Sequence, residues 1–272
     1  MYNFIDGDFF ESLCDFTFGD MYSSNMVEPN FNLLKNIFSK NTNPIIFIET
    51  HRIGNLFKEL INFPNNRVKI IAHNSDATFG KEILPYIPNN VDIIWCQNYN
   101  YIETDKIKSL PIGLERVRWF PEQRKQEVLK EMVESKIKRD NLCYMNFNPS
   151  TNPYRQNIFN ILKDESFIDK DMIGNGGNYI NYIESLKKYK YIISPPGNGV
   201  DCHRNWEAIY LGCVPIVLKS HFTENIYKKL PVLIVDDYSE LNENKLNNSY
   251  DNLINKSIDS SYIEYWKIKL NK

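Results

Sequence analysis

The residues best suited to chemistry are densest in one stretch, Ser194-Pro195-Pro196-Gly197-Asn198-Gly199, followed by Asp201, His203, Arg204 and Glu207. The apolar run 191–193 ends at Ser194, and the prolines deny a strand its next ladder hydrogen bonds. Gly197 and Gly199 permit backbone conformations and close approaches that a side chain would block. Asp201 stands where the N-cap of a new helix is expected. A strand, a glycine-bearing loop and a helix start in that order gather free N–H groups toward an anion. Arg204 falls on the first turn of that helix, where its planar fork can grip a diphosphate. Glu207 lies three residues on, on the same face, and its carboxylate suits the hydroxyls of a ribose or a sugar. Arg204 with Glu207, or His203 with Glu207, could also form a helix-surface ion pair worth about 0.2–0.5 kcal/mol.

A second set of polar residues follows apolar runs in the first half: Glu49-Thr50-His51, His73-Asn74-Ser75-Asp76, Gln97-Asn98 and Glu115-Arg116. Ligands of open α/β sheets lie beyond the carboxyl ends of the strands, so these clusters mark one side of a cleft. A substrate hydroxyl that attacks with inversion requires a base for its proton. Asp76 is the first candidate, Glu49 and Glu115 follow, and His73 is the non-carboxylate alternative. Asn74 would orient a substrate hydroxyl or cap the next helix, and Asn98 belongs to the same acceptor-side edge. Asp6-Gly7-Asp8 has the form of a metal-binding pair of acids. It precedes every predicted strand and reads as a turn, so no metal ligand is expected. Asp236-Asp237 reads as a solvated strand end.

The elements that must hold these residues alternate between short β-branched runs and amphipathic stretches, the pattern of a parallel α/β protein. Strands are expected at 44–49, 68–72, 91–96 and 107–111, with helices at 53–62 and 122–138. The pattern then restarts, with strands at 142–146, 167–173, 191–194, 214–218 and 232–235. Helices at 154–163, 179–189 and 202–211 separate them, with a short segment at 226–229, and the polar tail from 240 is helical in places. Two Rossmann-like domains facing a central cleft are expected, at 1–139 and 140–272. The first forty residues, with Phe9, Phe10, Phe16, Phe18 and Tyr22, fit no strand pattern and read as a lid or wall of the cleft.

Composition is consistent with this. The 272 residues are 42% hydrophobic and 24% charged, globular values, and the formal net charge of −2 argues against a nucleic-acid binder. No apolar run approaches the length of a membrane span. The start Met1-Tyr2-Asn3-Phe4-Ile5-Asp6 has neither a basic region nor an apolar core, so a cytoplasmic protein without a signal peptide is expected. Five cysteines without paired spacing read as reduced thiols rather than a disulfide framework.

The stretch 191–238 resembles the donor-binding segment of exostosin-like glycosyltransferases. The resemblance is carried by Ser194-Pro195-Pro196-Gly197, Asp201, Arg204, Trp206-Glu207-Ala208 and Gly212-Cys213-Val214-Pro215-Ile216-Val217. A weaker likeness lies at His73-Asn74-Ser75-Asp76 and Leu110-Pro111-Ile112-Gly113-Leu114-Glu115. Fucosyltransferase-like enzymes share the C-terminal pattern. The resemblance implies a GT-B fold and transfer of a hexose or pentose from a nucleotide-sugar to a glycan hydroxyl. It implies no bound cofactor and no metal. UDP is the expected nucleotide, and GDP the alternative. A catalytically inert glycan- or nucleotide-binding module would keep the same residues. A dinucleotide oxidoreductase lacks its motif, because Gly174-Asn175-Gly176-Gly177 has the wrong spacing.

Overall fold

The computed structural model describes residues 3–19, 27–119, 121–135, 138–171 and 178–270. Chain contacts divide it into two compact units, Asp6–Ile112, and Met1–Ile5 together with Gly113–Lys272.

In the unit Asp6–Ile112, a helix α1 (Gly7–Ser12) leads into β1 (Phe16–Thr17), α2 (Phe31–Lys40), β2 (Ile45–Glu49) and α3 (Ile53–Leu60). Strands β3 (Val68–His73), β4 (Val91–Gln97) and β5 (Ile107–Leu110) follow. All five strands are parallel, in the order β1-β2-β3-β4-β5. The strands are apolar nearly throughout, as expected where helices cover a parallel sheet. The α3 side chains Ile53, Leu56, Phe57 and Leu60 recur at helical spacing, and all are buried in the core with Ile46, Ile48, Ile70 and Ile94.

Among the described residues of the first forty, those from Asp6 onward belong to the sheet unit rather than forming a lid or wall. Phe16–Thr17 is the edge strand, paired with Ile46 and Phe47, and Phe18, Leu34, Ile37 and Phe38 enter the sheet's own core. The strand is too short to register as a pattern in sequence. Tyr22 lies outside the described residues.

The other unit contains α4 (Lys125–Glu134), β6 (Asn141–Met145), α5 (Pro153–Leu162), β7 (Ile168–Lys170), α6 (Tyr179–Leu186) and β8 (Tyr189–Ile193). These are followed by α7 (His203–Leu211), β9 (Val214–Leu218), α8 (His221–Tyr227), β10 (Leu233–Val235), α9 (Glu243–Ile254) and α10 (Ile263–Leu270). Its five parallel strands run in the order β10-β9-β8-β6-β7. From β6 the chain moves to one side, to β7, and then returns to lay β8, β9 and β10 on the other. The order reverses between β6 and β8, which creates a topological switch point where the following loops diverge. The sheet Asp6–Ile112, whose strands follow in sequence order, has no such reversal.

The boundary between units therefore falls after Ile112 rather than after residue 139. Helix α4 packs against α6 and α7. The Lys187 ammonium donates to the carbonyls of Met132 and Ser135 at the C-terminal end of α4, where a cation meets the helix dipole. The helix expected at 179–189 stops at Leu186, and Tyr189 already belongs to β8. Residues 172–177, including the end of the strand expected at 167–173 and Gly174-Asn175-Gly176-Gly177, lie outside the described residues.

Candidate functional site

The switch point of the second sheet brings together two arginines. Arg204 is on the first turn of α7, which follows β8, and Arg155 is on the first turn of α5, which follows β6. Helix α5 starts cleanly because Asn152 caps it, accepting from the Tyr154 N–H at 2.9 Å, and Pro153 occupies the first turn. Arg155 Nε donates to the Pro196 carbonyl at 2.8 Å, and Asn152 Nδ2 donates to the Gly197 carbonyl at 2.7 Å. These bonds fasten the loop after β8 to α5. No carboxylate among the described residues pairs with either guanidinium, and Arg204 Nε is buried without a hydrogen-bond partner. The Arg155 guanidinium is held below its ordinary pKa, first by burial and then by the like charge of Arg204. Two like charges with no ion-paired acid favour an anion, although the Glu207 carboxylate is itself stabilised by Arg204.

The glycine loop has a different role from the expected N–H cradle. Gly197 N–H donates to the Gly199 carbonyl at 3.0 Å, and neither glycine adopts a positive φ. A Cβ on Gly197 would lie 3.3 Å from the Arg155 guanidinium, so the missing side chain makes room for that arginine. Ser194 continues the β8 ladder by donating its N–H to the Ile216 carbonyl at 2.9 Å. Its hydroxyl is buried with no partner. Pro196 is half-buried and Asn198 is exposed on the loop.

Asp201 does not cap α7. The N-cap is Cys202, which offers no side-chain cap. The Asp201 carboxylate is 4% exposed and accepts from Cys202 N–H at 2.7 Å, from Trp206 Nε1 at 3.1 Å and from the Tyr227 hydroxyl. It joins α7 to α8 from the inside, a positioning role that spacing alone assigned to the cap. With no capping side chain, the first N–H groups of α7 stay available to an anion.

Glu207 is 8% exposed, so the surface-pair alternative does not hold. Burial raises the pKa of its carboxyl, against the opposing effects of His203, Arg204, the Tyr179 hydroxyl and Lys125. The Tyr182 hydroxyl is also near and buried, and after burial itself the charge of Glu207 disfavours its ionisation. His203 Nδ1 lies 2.8 Å from the Gly113 carbonyl. Glu115, expected on the acceptor side, belongs to this unit and pairs with Lys125 at 2.6 Å; burial raises the pKa of Tyr179, and the charges of Glu207 and Glu115 add to it.

The remaining residues lie at the C-terminal ends of β2, β3 and β4 in the unit Asp6–Ile112. His73 is buried, with Nε2 3.0 Å from the Pro111 carbonyl and Nδ1 2.7 Å from the Asn74 amide. Both nitrogens are engaged, so His73 braces the edge and is poorly placed to collect a proton. Glu49 is 1% exposed and faces Arg52 at 3.4 Å and His51 at 3.7 Å. Arg52 also holds Glu28 at 3.0 Å and the Phe18 and Gly19 carbonyls, each at 3.0 Å, so Glu49 serves a buried ion-pair network. Asn74 and Asn98 have φ of 56° and 59°, left-handed values that asparagine tolerates better than other side chains. Asn98 Nδ2 and Gln97 Nε2 both donate to the Ser75 carbonyl at 3.0 Å. Asp76, next to that carbonyl, is exposed. Asp6 caps α1, accepting from Phe9 N–H at 2.7 Å, so Asp6-Gly7-Asp8 is the start of a helix rather than the expected turn.

Sequence reading missed Arg155, Lys125, Tyr179 and Tyr182. Arg155 carried a usable signal, since Asn152-Pro153 marks a helix start directly after the strand at β6. The three others come from sequence-distant helices, and nothing in local spacing points to them.

The two parallel sheets of Rossmann type give this chain the GT-B architecture. An E. coli trehalose-phosphate synthase bound with UDP-2-fluoro glucose superposes with TM-score 0.50 at 11% identity, over 92% of this chain and 80% of that one. An α1,3-fucosyltransferase gives 0.45 at 12% identity over 78% and 68%, and a Rickettsia africae glycosyltransferase gives 0.42 at 10% over 93% and 83%. No protein-family profile and no curated protein matches the sequence. At such identities the likeness is one of fold, and among the described residues no helix is long and apolar enough to cross a membrane.

Proposed function

We propose that the protein is a glycosyltransferase that moves a monosaccharide from a nucleotide-sugar, UDP-linked by preference, to a glycan hydroxyl. The observation that carries this reading is the pair Arg155 and Arg204, converging at a switch point without a carboxylate partner. The diphosphate lies against both guanidinium groups and the uncapped start of α7, where charge-assisted bonds and the helix dipole act together. Glu207, one turn further, accepts hydroxyls of the ribose or the sugar. Its desolvated carboxylate gains most from such donors.

Asp76 is the general base in this account. Glu49 faces Arg52, Glu115 pairs with Lys125, and Asp76 is exposed just beyond the end of β3. Fixed cations that stabilise the departing diphosphate supply what a metal ion otherwise would, so the reaction proceeds without one. The exostosin-like motif supports UDP. The fucosyltransferase-like likeness of the same stretch makes GDP the second nucleotide to test.

The experiment is release of nucleoside diphosphate from a panel of UDP- and GDP-sugars, with and without glycan acceptors. Turnover of at least one donor is expected. Tight binding of a nucleotide with no turnover of any donor would make the protein a binding module instead.

A further inference from the structure

We propose that Tyr179 is a positioning residue for the donor: its hydroxyl holds the Glu207 carboxylate in place for the hydroxyls of the sugar nucleotide, and its ring is held in turn by the Glu115–Lys125 pair. This rests on the donor-site reading above and deepens it. Three helices meet here, since α4, which carries Lys125, packs against α6 and α7, and α6 packs against α7. Asn178 caps α6 by accepting from the Ile180 N–H at 2.9 Å, which fixes the backbone of Tyr179 on the first turn. The Tyr179 hydroxyl hydrogen-bonds the Glu207 carboxylate of α7. The Lys125 ammonium stands 5.5 Å from the centre of the Tyr179 ring, within cation–π range, and is paired with the Glu115 carboxylate at 2.6 Å. Gln126, next to Lys125, donates its amide to the Glu115 carbonyl at 3.1 Å, so the outer end of this chain of contacts is fixed as well. The ring centre of Tyr182 lies 6.1 Å from that of Tyr179, on the same face of α6.

Desolvation is what makes Glu207 depend on such a partner. A carboxylate that is 8% exposed has lost most of its water, and burial favours its neutral form. A neutral carboxyl is the poorer acceptor for a ribose or sugar hydroxyl, because hydrogen bonds to a charged group are roughly twice as strong. Tyr179 counters this, since a hydroxyl that donates to a carboxylate favours the charged form. The hydroxyl itself keeps its proton: burial first, and then the charge of Glu207, push its ionisation far above any working pH. It therefore serves as a fixed donor. A carboxylate offers about four lone-pair positions on its two oxygens, so one bond to Tyr179 sets the orientation of the group and leaves acceptor positions for the ligand. His203 and Arg204 on α7 and Lys125 on α4 also favour the charged carboxylate, and the Tyr182 hydroxyl of α6 lies beside it. The three cationic side chains act through charge, which has no direction, whereas the bond from Tyr179 sets where the oxygens point.

The test is the calorimetric affinity of UDP-glucose, GDP-fucose and inorganic pyrophosphate for the parent protein, Tyr179→Phe and Glu207→Gln, repeated across pH for the better-bound nucleotide-sugar. Phenylalanine keeps the ring over which Lys125 stands and removes the hydroxyl. At neutral pH Tyr179→Phe is expected to bind that nucleotide-sugar about tenfold less tightly and to bind pyrophosphate as the parent does, since the arginines are untouched. Both phosphates of a nucleotide-sugar are esterified and keep a constant charge, so the fall in affinity as pH is lowered reads the protonation of Glu207. Its midpoint is expected to move to higher pH in Tyr179→Phe, because the bond that favoured the charged carboxylate is gone, and the fall is expected to flatten in Glu207→Gln. A folded Tyr179→Phe with the parent's affinity and midpoint, beside a weakened Glu207→Gln, overturns this proposal and leaves the donor-site reading standing. An equal loss for pyrophosphate and the nucleotide-sugar also overturns it, because the tyrosine would then support the fold rather than the carboxylate. Failure of both nucleotide-sugars and pyrophosphate to bind the parent protein would remove the donor-site reading itself, and the proposal with it.

Discussion

Arg155 and Arg204 come from two helices that leave neighbouring strands in opposite directions, and the charge of Arg204 adds to burial in lowering the Arg155 pKa. A fold keeps such an arrangement at a loss in ligand-free stability, which an anion recovers. Arg204→Gln is therefore expected to hold or raise the thermal midpoint of the free protein while diminishing the shift caused by pyrophosphate. A site occupied at about a hundred times its Kd is stabilised by about 2.7 kcal/mol in the parent protein. Thermal unfolding with and without pyrophosphate checks this. A variant that unfolds earlier yet keeps the full pyrophosphate shift would show the arginine to be structural.

Asp76→Asn preserves shape and removes the base. Turnover should fall by about 10²–10⁴-fold with nucleotide affinity nearly unchanged. Steady-state kinetics beside calorimetry separates these, and near-normal turnover would eliminate Asp76 from the chemistry.

Glu207 makes a pH prediction with a definite sign. Burial raises its folded pKa above the ordinary 4.5, so between those values the folded chain binds more protons than the unfolded chain. Its contribution to stability is present in full below pH 4.5 and is lost as pH rises through the higher folded pKa. Glu207→Gln should flatten this part of the stability profile and leave stability at neutral pH unchanged or higher, while weakening intact nucleotide-sugars more than the bare diphosphate. Urea unfolding across pH reads the first effect. A neutral-pH stability loss with an unchanged profile would contradict a desolvated carboxyl.

Chelation should leave activity intact. Asp6, the first acid of the only metal-like acidic pair the sequence suggested, is occupied in capping α1. In the proposed site the arginines and the start of α7 would provide the positive charge the leaving group requires. Activity lost with EDTA and restored by manganese would show that a metal takes part.

Much of the fold was legible because parallel strands buried on both faces are written as short apolar runs. The 214–218 strand appears at the expected residues, and helices α3 and α7 within two residues of each expected end. The edge strand Phe16–Thr17 was not legible, since a two-residue strand has no period. Arg204 and Glu207 were singled out from their place after a glycine loop, and the structure sets both on α7. Arg155 was not singled out, because what places it beside the loop after β8 is the reversal of strand order between β6 and β8, a property of topology rather than spacing. Asp201 and His73 show the opposite error: polar residues at element ends look available in sequence, yet here each is bound inside by its neighbours.

The central claim, that the Arg155–Arg204 pair holds the diphosphate of a sugar nucleotide, is tested most directly by the affinity of UDP and GDP for the parent protein, Arg155→Ala and Arg204→Ala. Charge-assisted bonds of about 1.5–3 kcal/mol each predict a loss of roughly ten- to hundredfold per arginine for the better-bound nucleotide. The uncharged nucleoside should be far less affected. Unchanged nucleotide affinity in both folded variants would contradict the account.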